Sequence, residues 1–147
     1  MPTDHNGWMW DLTVPGNDDH DFYVVANTVA VLVHNSSYQL GCNLRDADED
    51  PNTPNPEAHH IVPEGHPLAA SGRAILRSLG IGIDSAENGV WLGRATHIGT
   101  RANSYVQWIN DQIVNAASTG GRSAVLDVLG NTKNTLQALD QNYGNGV

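Results

Sequence analysis

The sequence predicts an α+β fold, in which early strands give way to helices and one further strand. Three observations carry that prediction. Trp8, Trp10, Leu12 and Val14 alternate with Met9, Asp11 and Thr13, the period-2 pattern of a half-buried strand. Pro67 to Leu79 and Ala102 to Ala117 both place apolar residues at helical spacing. Between those helices, Asn88-Gly89 is a turn signal that leads into the short strand Val90-Trp91-Leu92.

In chain order, Pro15-Gly16-Asn17 ends the first strand. Phe22 to Val25 and Thr28 to Val33 read as a hairpin around Ala26-Asn27. Residues 36–57 carry an acidic run (Asp46, Asp48, Glu49, Asp50) and three prolines (Pro51, Pro54, Pro56). That is linker chemistry, with one short helical turn around Tyr38 to Leu44. The helix from Pro67 presents Leu68, Ile75, Leu76 and Leu79, and Gly80 stands where a C-terminal cap belongs. Tyr105, Ile109, Ile113 and Ala116 form the stripe of a second helix, ended by Gly120-Gly121. Leu126, Leu129, Leu136 and Leu139 mark a third, interrupted at Gly130-Asn131. Three segments result, 1–35, 36–57 and 58–147, and the Leu40 region is the part of the linker that can join the last core. Trp91, Tyr105 and Trp108 are expected in that core, and His66 in an exposed loop.

Composition narrows the function classes. No apolar run approaches the roughly 18 residues of a membrane span, so no membrane partner is expected. The first residues lack the basic flank and apolar stretch of a secretory signal peptide. The single cysteine, Cys42, excludes an internal disulfide and zinc sites built from paired cysteines. Any metal must therefore use histidine and carboxylate. The net charge of −9 argues against a polyanionic substrate. Its distribution along the chain argues the other way: residues 1–35 carry −5, residues 36–57 carry −4, and residues 58–147 balance six acids with six bases. Five of those six bases are arginine, the better phosphate ligand.

The chemistry concentrates in Ala58-His59-His60-Ile61-Val62-Pro63, in Asn88-Gly89-Val90-Trp91-Leu92, and in His97. Neighbouring strand residues point to opposite faces, so His59 and His60 suit different tasks, one on a metal and one toward a substrate. Alone, an adjacent histidine pair is more often a packing feature. The order His-His, Asn, His, with a tyrosine on the following helix, resembles the AHH family of HNH nucleases, the toxin modules of bacterial polymorphic toxins. The likeness runs from about Leu40 to Ala117.

This resemblance implies a ββα-metal (HNH/AHH) nuclease core with added helices, built around one divalent cation. The helix from Pro67 is then an insertion between His60 and Asn88. By the same resemblance His59 and His97 match metal ligands, and His60 matches the general base that takes a proton from the attacking water. Asn88 matches the asparagine that ties the loop backbone so that His60 keeps its orientation. Many members carry a further histidine four residues after the one at His97, where this chain has Arg101. Arginine does not ligate cations. Two protein ligands rather than three are expected, with Mg²⁺ favoured over Zn²⁺ or another transition metal, and Arg101 is expected on a substrate phosphate.

Val31-Leu32-Val33-His34-Asn35-Ser36, with the Phe22-Tyr23-Val24-Val25 strand before it, resembles the end of a Hint (hedgehog/intein) domain. In that family the asparagine side chain attacks its own carbonyl carbon and cuts the following bond, with the histidine assisting. Here the cut falls between Asn35 and Ser36. The nucleophilic first block of a Hint domain is absent, so residues 1–35 read as a truncated tail forming a short β-hairpin segment.

The expectation is a metal-dependent endonuclease that hydrolyses phosphodiesters, DNA before RNA, in the cytoplasm of a competing target cell. The resemblance implies a cognate immunity protein as partner. Two other classes stand beside it: a non-catalytic, metal-stabilised interaction module that would not need His60, and a self-processing Hint fragment cleaving after Asn35.

Overall fold

The computed structural model of the chain describes residues 21–26, 29–34, 36–100 and 102–144. The expected strand over residues 8–14, Asn35 and Arg101 lie outside the described residues. The chain divides into two units, Met1–Asn35 and Ser36–Val147. In the first, β1 (Asp21–Ala26) and β2 (Val29–His34) pair antiparallel, with Asp21 opposite His34 and Ala26 opposite Val29. Of the Ala26-Asn27 signal, Ala26 ends β1, and Asn27 lies outside the described residues.

The second unit opens on α1 (Ser36–Asp46), where the composition predicts mostly linker. Leu40 and Leu44, one helical turn apart, are fully buried against Ala58 and Trp91. Two leucines are too few to display a period, and the acids and prolines after them dominate the composition. Even that acidic run is anchored. The Glu49 carboxylate accepts from Lys133 Nζ at 2.7 and 2.9 Å, and its carbonyl accepts from Trp91 Nε1 at 2.7 Å.

Strands β3 (Pro56–His60) and β4 (Gly89–Gly93) pair antiparallel, with Ala58 opposite Trp91, His59 opposite Val90 and His60 opposite Gly89. Side chains alternate across this two-stranded sheet. Ala58 and Trp91 meet α1, whereas Val90 and Leu92 join the larger core of Ile61, Val62, Leu76, Val106, Ile109 and Ile113. At Gly89 a Cβ would lie 2.6 Å from Leu40 Cδ1 and 3.1 Å from Leu44 Cδ2, so the close approach of α1 requires glycine.

The chain between β3 and β4 holds a 3₁₀ turn (Pro67–Ala69), α2 (Ala70–Ser78) and a second 3₁₀ turn (Ala86–Asn88). His66 is half-buried rather than exposed: its Nδ1 accepts from Leu68 N–H at 3.3 Å and caps the first turn, and its Nε2 lies 3.2 Å from Asn103 Oδ1. The predicted Gly80 cap is present, at φ 67°, with Ile81 N–H returning to Leu76 O at 2.9 Å.

After β4 come α3 (Arg94–Gly99) and α4 (Asn103–Gly144). Gly121, at φ 58° and ψ −140°, kinks α4 where the sequence predicts the end of the second helix. The expected interruption at Gly130-Asn131 does not occur. Leu129, Thr132 and Leu136 are buried around it, and their burial outweighs the roughly 1 kcal/mol that a helical glycine costs. Trp91 is buried as expected and Tyr105 half-buried, but Trp108 is 46% exposed. It stands next to Ile109, about 100° around the helix from the buried stripe. Among the described residues no helix is long and apolar enough to cross a membrane.

Candidate active site

Strand β3 delivers His59 and His60 in succession, and the pleat sends them to opposite faces. Glu57 and His59, two residues apart, share the face toward α3. His59 is buried at 6% exposure, and its ring centroid lies 5.1 Å from that of His97, with the rings inclined at 67°. His97 Nδ1 is in contact with Glu57 Oε2. The Thr100 hydroxyl donates to the His97 carbonyl at 2.8 Å and lies 3.5 Å from His59 Nδ1. From α4, Tyr105 brings its ring centroid to 6.2 Å from His59 and donates its hydroxyl to Ile61 O at 3.1 Å. Burial pushes the Tyr105 phenol far above its ordinary value, so it remains an O–H donor at neutral pH.

On the other face, His60 Nε2 lies 2.7 Å from Asp84 Oδ1. The Asp84 carbonyl accepts from Asn43 Nδ2 of α1 at 2.7 Å, which fixes this loop to the helix. Asn88 is fully buried and all its polar atoms are engaged. Its Oδ1 accepts from Val62 N–H at 2.9 Å, and its Nδ2 donates to Val62 O at 3.2 Å and to Ile83 O at 2.8 Å. The Asn88 carbonyl also accepts from Ile61 N–H at 2.8 Å. Asn88 thus fastens the loop that leaves His60 to the segment that presents Asp84.

The segment carrying His97 is held from the far end of the chain. Buried Asp140, near the end of α4, accepts from Gly93 N–H with both carboxylate oxygens at 3.0 Å, just before α3 begins. Burial pushes this carboxyl up, but the Thr96 hydroxyl, the Gly93 N–H and the Thr53 hydroxyl together hold it below its ordinary value. A depressed folded pKa stabilises the fold above the carboxyl's unfolded pKa, and that stabilisation is lost as pH falls through the folded value. Urea unfolding of Asp140→Asn should therefore lose less stability between about pH 5 and pH 2 than the wild type does. Parallel curves for the two proteins across that range would place the acid sensitivity elsewhere.

Of the residues singled out in the sequence, His59 and His97 come together, and His60 lies at the end of the same strand behind the Asn88 clamp. His34 closes β2 and Ser36 opens α1; the rest of that junction and Arg101 lie outside the described residues. Sequence reasoning missed Glu57, Asp84, Thr100 and Asp140. Glu57 was accessible, since its two-residue spacing from His59 puts both on one face. Nothing local marks Asp84, whose neighbourhood reads as a turn.

Two imidazoles beside a carboxylate are ligand types that a divalent cation takes, so the donor chemistry of this face fits one. Among the described residues no group of three His, Cys, Asp or Glu side chains is arranged to hold a metal. No curated protein and no solved structure matches the chain. A family model, described as a nuclease family of the HNH/ENDO VII superfamily with conserved AHH, matches residues 40–141. The matched stretch contains most of α1, both strands of the histidine-bearing sheet, α3 and nearly all of α4, and its Ala-His-His is Ala58-His59-His60 at the end of β3. On that match over an α+β fold of the HNH-like kind, the chain belongs to the AHH nuclease family of the HNH/ENDO VII superfamily.

Proposed function

We propose that this nuclease is a metal-dependent endonuclease that hydrolyses phosphodiester bonds in DNA, as the toxin module of a bacterial polymorphic toxin. The convergence of His59 from β3 and His97 from α3, ring centroids 5.1 Å apart, carries the reading. In it these two imidazoles hold one divalent cation, and Mg²⁺ suits a site whose remaining ligands are oxygens. When bound, the cation neutralises charge on the scissile phosphate and its leaving oxygen.

His60 acts as general base. With Asp84 accepting the Nε2 proton, Nδ1 carries the lone pair that takes a proton from water. The hydroxide forms the new bond to phosphorus as the bond to the leaving oxygen breaks. Asp84 also stabilises the imidazolium that results, and Asn88 keeps the loop behind His60 in place. Arg101 serves on the substrate phosphate. Such a toxin acts in the cytoplasm of a target cell and requires a cognate immunity protein in the producer.

The division of the chain between Asn35 and Ser36 supports reading residues 1–35 as a Hint remnant, with His34, Asn35 and Ser36 at the former cleavage junction. N-terminal sequencing of the purified protein tests whether it still cuts there: a species beginning at Ser36 marks processing.

The decisive assay offers plasmid DNA and RNA in parallel, with Mg²⁺, Mn²⁺ or Zn²⁺ and with EDTA. DNA nicking that EDTA stops is expected, with His59→Ala and His97→Ala each weakening calorimetric metal binding. Absence of cleavage with every metal overturns the enzymatic reading, and cleavage of RNA alone overturns the choice of substrate.

A further inference from the structure

We propose that the exposed indole of Trp108, seated on Tyr105 beside His59, is a stacking platform for an unpaired base of the nucleic-acid strand. The inference rests on the nuclease reading above and names the part of the substrate that the site would grip.

Four rings stand in series at the site. The His97 ring contacts His59 at 5.1 Å, His59 contacts Tyr105 at 6.2 Å, and Tyr105 contacts Trp108 at 6.0 Å with the planes tilted by 41°. The first three are wholly or mostly covered, while Trp108 is 46% exposed. Tyr105 cannot swing away, because its hydroxyl is bonded to Ile61 O in the loop directly after His60. The indole is therefore backed by Tyr105, with much of its surface left to solvent, two ring contacts from His59. A large rigid ring presented this way matches the aromatic platforms that grip single strands.

Charge gives the second reason. Residues 58–147 carry six acids and six bases, so phosphate contacts alone supply little affinity. Base stacking adds binding free energy that needs no excess of positive charge and tolerates any sequence. It also requires a base free of its duplex neighbours. The site should accordingly prefer single-stranded or frayed nucleic acid to intact duplex.

The test uses the full chain at low salt in EDTA, so that binding is read without cleavage. Fluorescence anisotropy compares a labelled oligothymidylate with an abasic oligomer of the same length, which keeps the phosphates and lacks the bases. Trp108→Ala should weaken oligothymidylate binding by roughly 5-fold to 100-fold, the range for one stacked base, and leave abasic binding unchanged. Trp108→Phe should keep most of the affinity, and it holds the test open if the alanine variant melts at a lower temperature. Unchanged oligothymidylate affinity in Trp108→Ala overturns the proposal, and is also the result if the indole serves a protein partner instead. Equal losses on both oligomers overturn it too, since the ring would then act on backbone or fold. Wild-type cleavage, measured separately, decides the nuclease reading without reference to Trp108.

Discussion

Replacing His60 by alanine is expected to lower turnover by about 10²–10⁴-fold, the contribution of a positioned general base. The fold should survive the change. His60 belongs to neither apolar cluster, and the backbone around it is held by the pairing with Gly89 and by the Asn88 bonds to Val62. The informative comparison is with Asp84. In the proposed mechanism Asp84 acts only through His60, with which it shares the 2.7 Å contact. Asp84→Ala should therefore lose less activity than His60→Ala. The double variant should fall no further than His60→Ala, as expected for groups that work as one unit. Nicking rates of the four proteins at matched metal concentration decide the matter. A His60→Ala protein with most of its activity removes the base from the mechanism. Losses that add would place Asp84 on a separate task.

A chain beginning at Ala58 should fail to fold, whereas one beginning at Ser36 should melt cooperatively. Removing α1 uncovers Trp91 and Ala58 and takes away Leu40 and Leu44, both fully buried. Full burial of a leucine stabilises by about 1.5–3 kcal/mol, and the bond from Trp91 Nε1 to Glu49 O adds about 1 kcal/mol. The Lys133–Glu49 pair goes as well. These losses compare with a total stability of about 5–15 kcal/mol for an ordinary domain. In the full chain, Leu40→Ala and Leu44→Ala should each cost about 2–5 kcal/mol. Differential scanning calorimetry of the two truncations is the check. A cooperative transition in residues 58–147 would show that α1 only decorates the core.

Local patterns in the sequence were enough to locate α2, the strand at Val90-Trp91-Leu92, and the break in the long helix at Gly121; the Asn88-Gly89 signal marks the entry to β4, where Asn88 ends a 3₁₀ turn and Gly89 is extended. Each depends on residues within about four positions of one another, the range over which helix and strand periods are written. The histidine motif is legible for the same reason, and its likeness to a known family implies one site for His59, His60, Asn88 and His97, of which the structure brings the rings of His59 and His97 together.

The rest required the chain to be folded. The partners of the site lie 24 residues apart for His60 and Asp84, 40 for His97 and Glu57, and 47 for Gly93 and Asp140. No local period spans such separations. Whether α1 is linker or core was settled by Gly89, whose missing side chain admits Leu40 and Leu44 onto the sheet. Gly130 continues the helix because buried neighbours on α4 outweigh its propensity. Trp108 and Ile109 are adjacent and both apolar; the helical stripe selects Ile109, and the folded chain leaves Trp108 exposed beside it. The periods that mark α2 and β4 are short-range, while the docking of α1, the continuity of α4 at Gly130 and the pairing of the site residues are products of long-range packing.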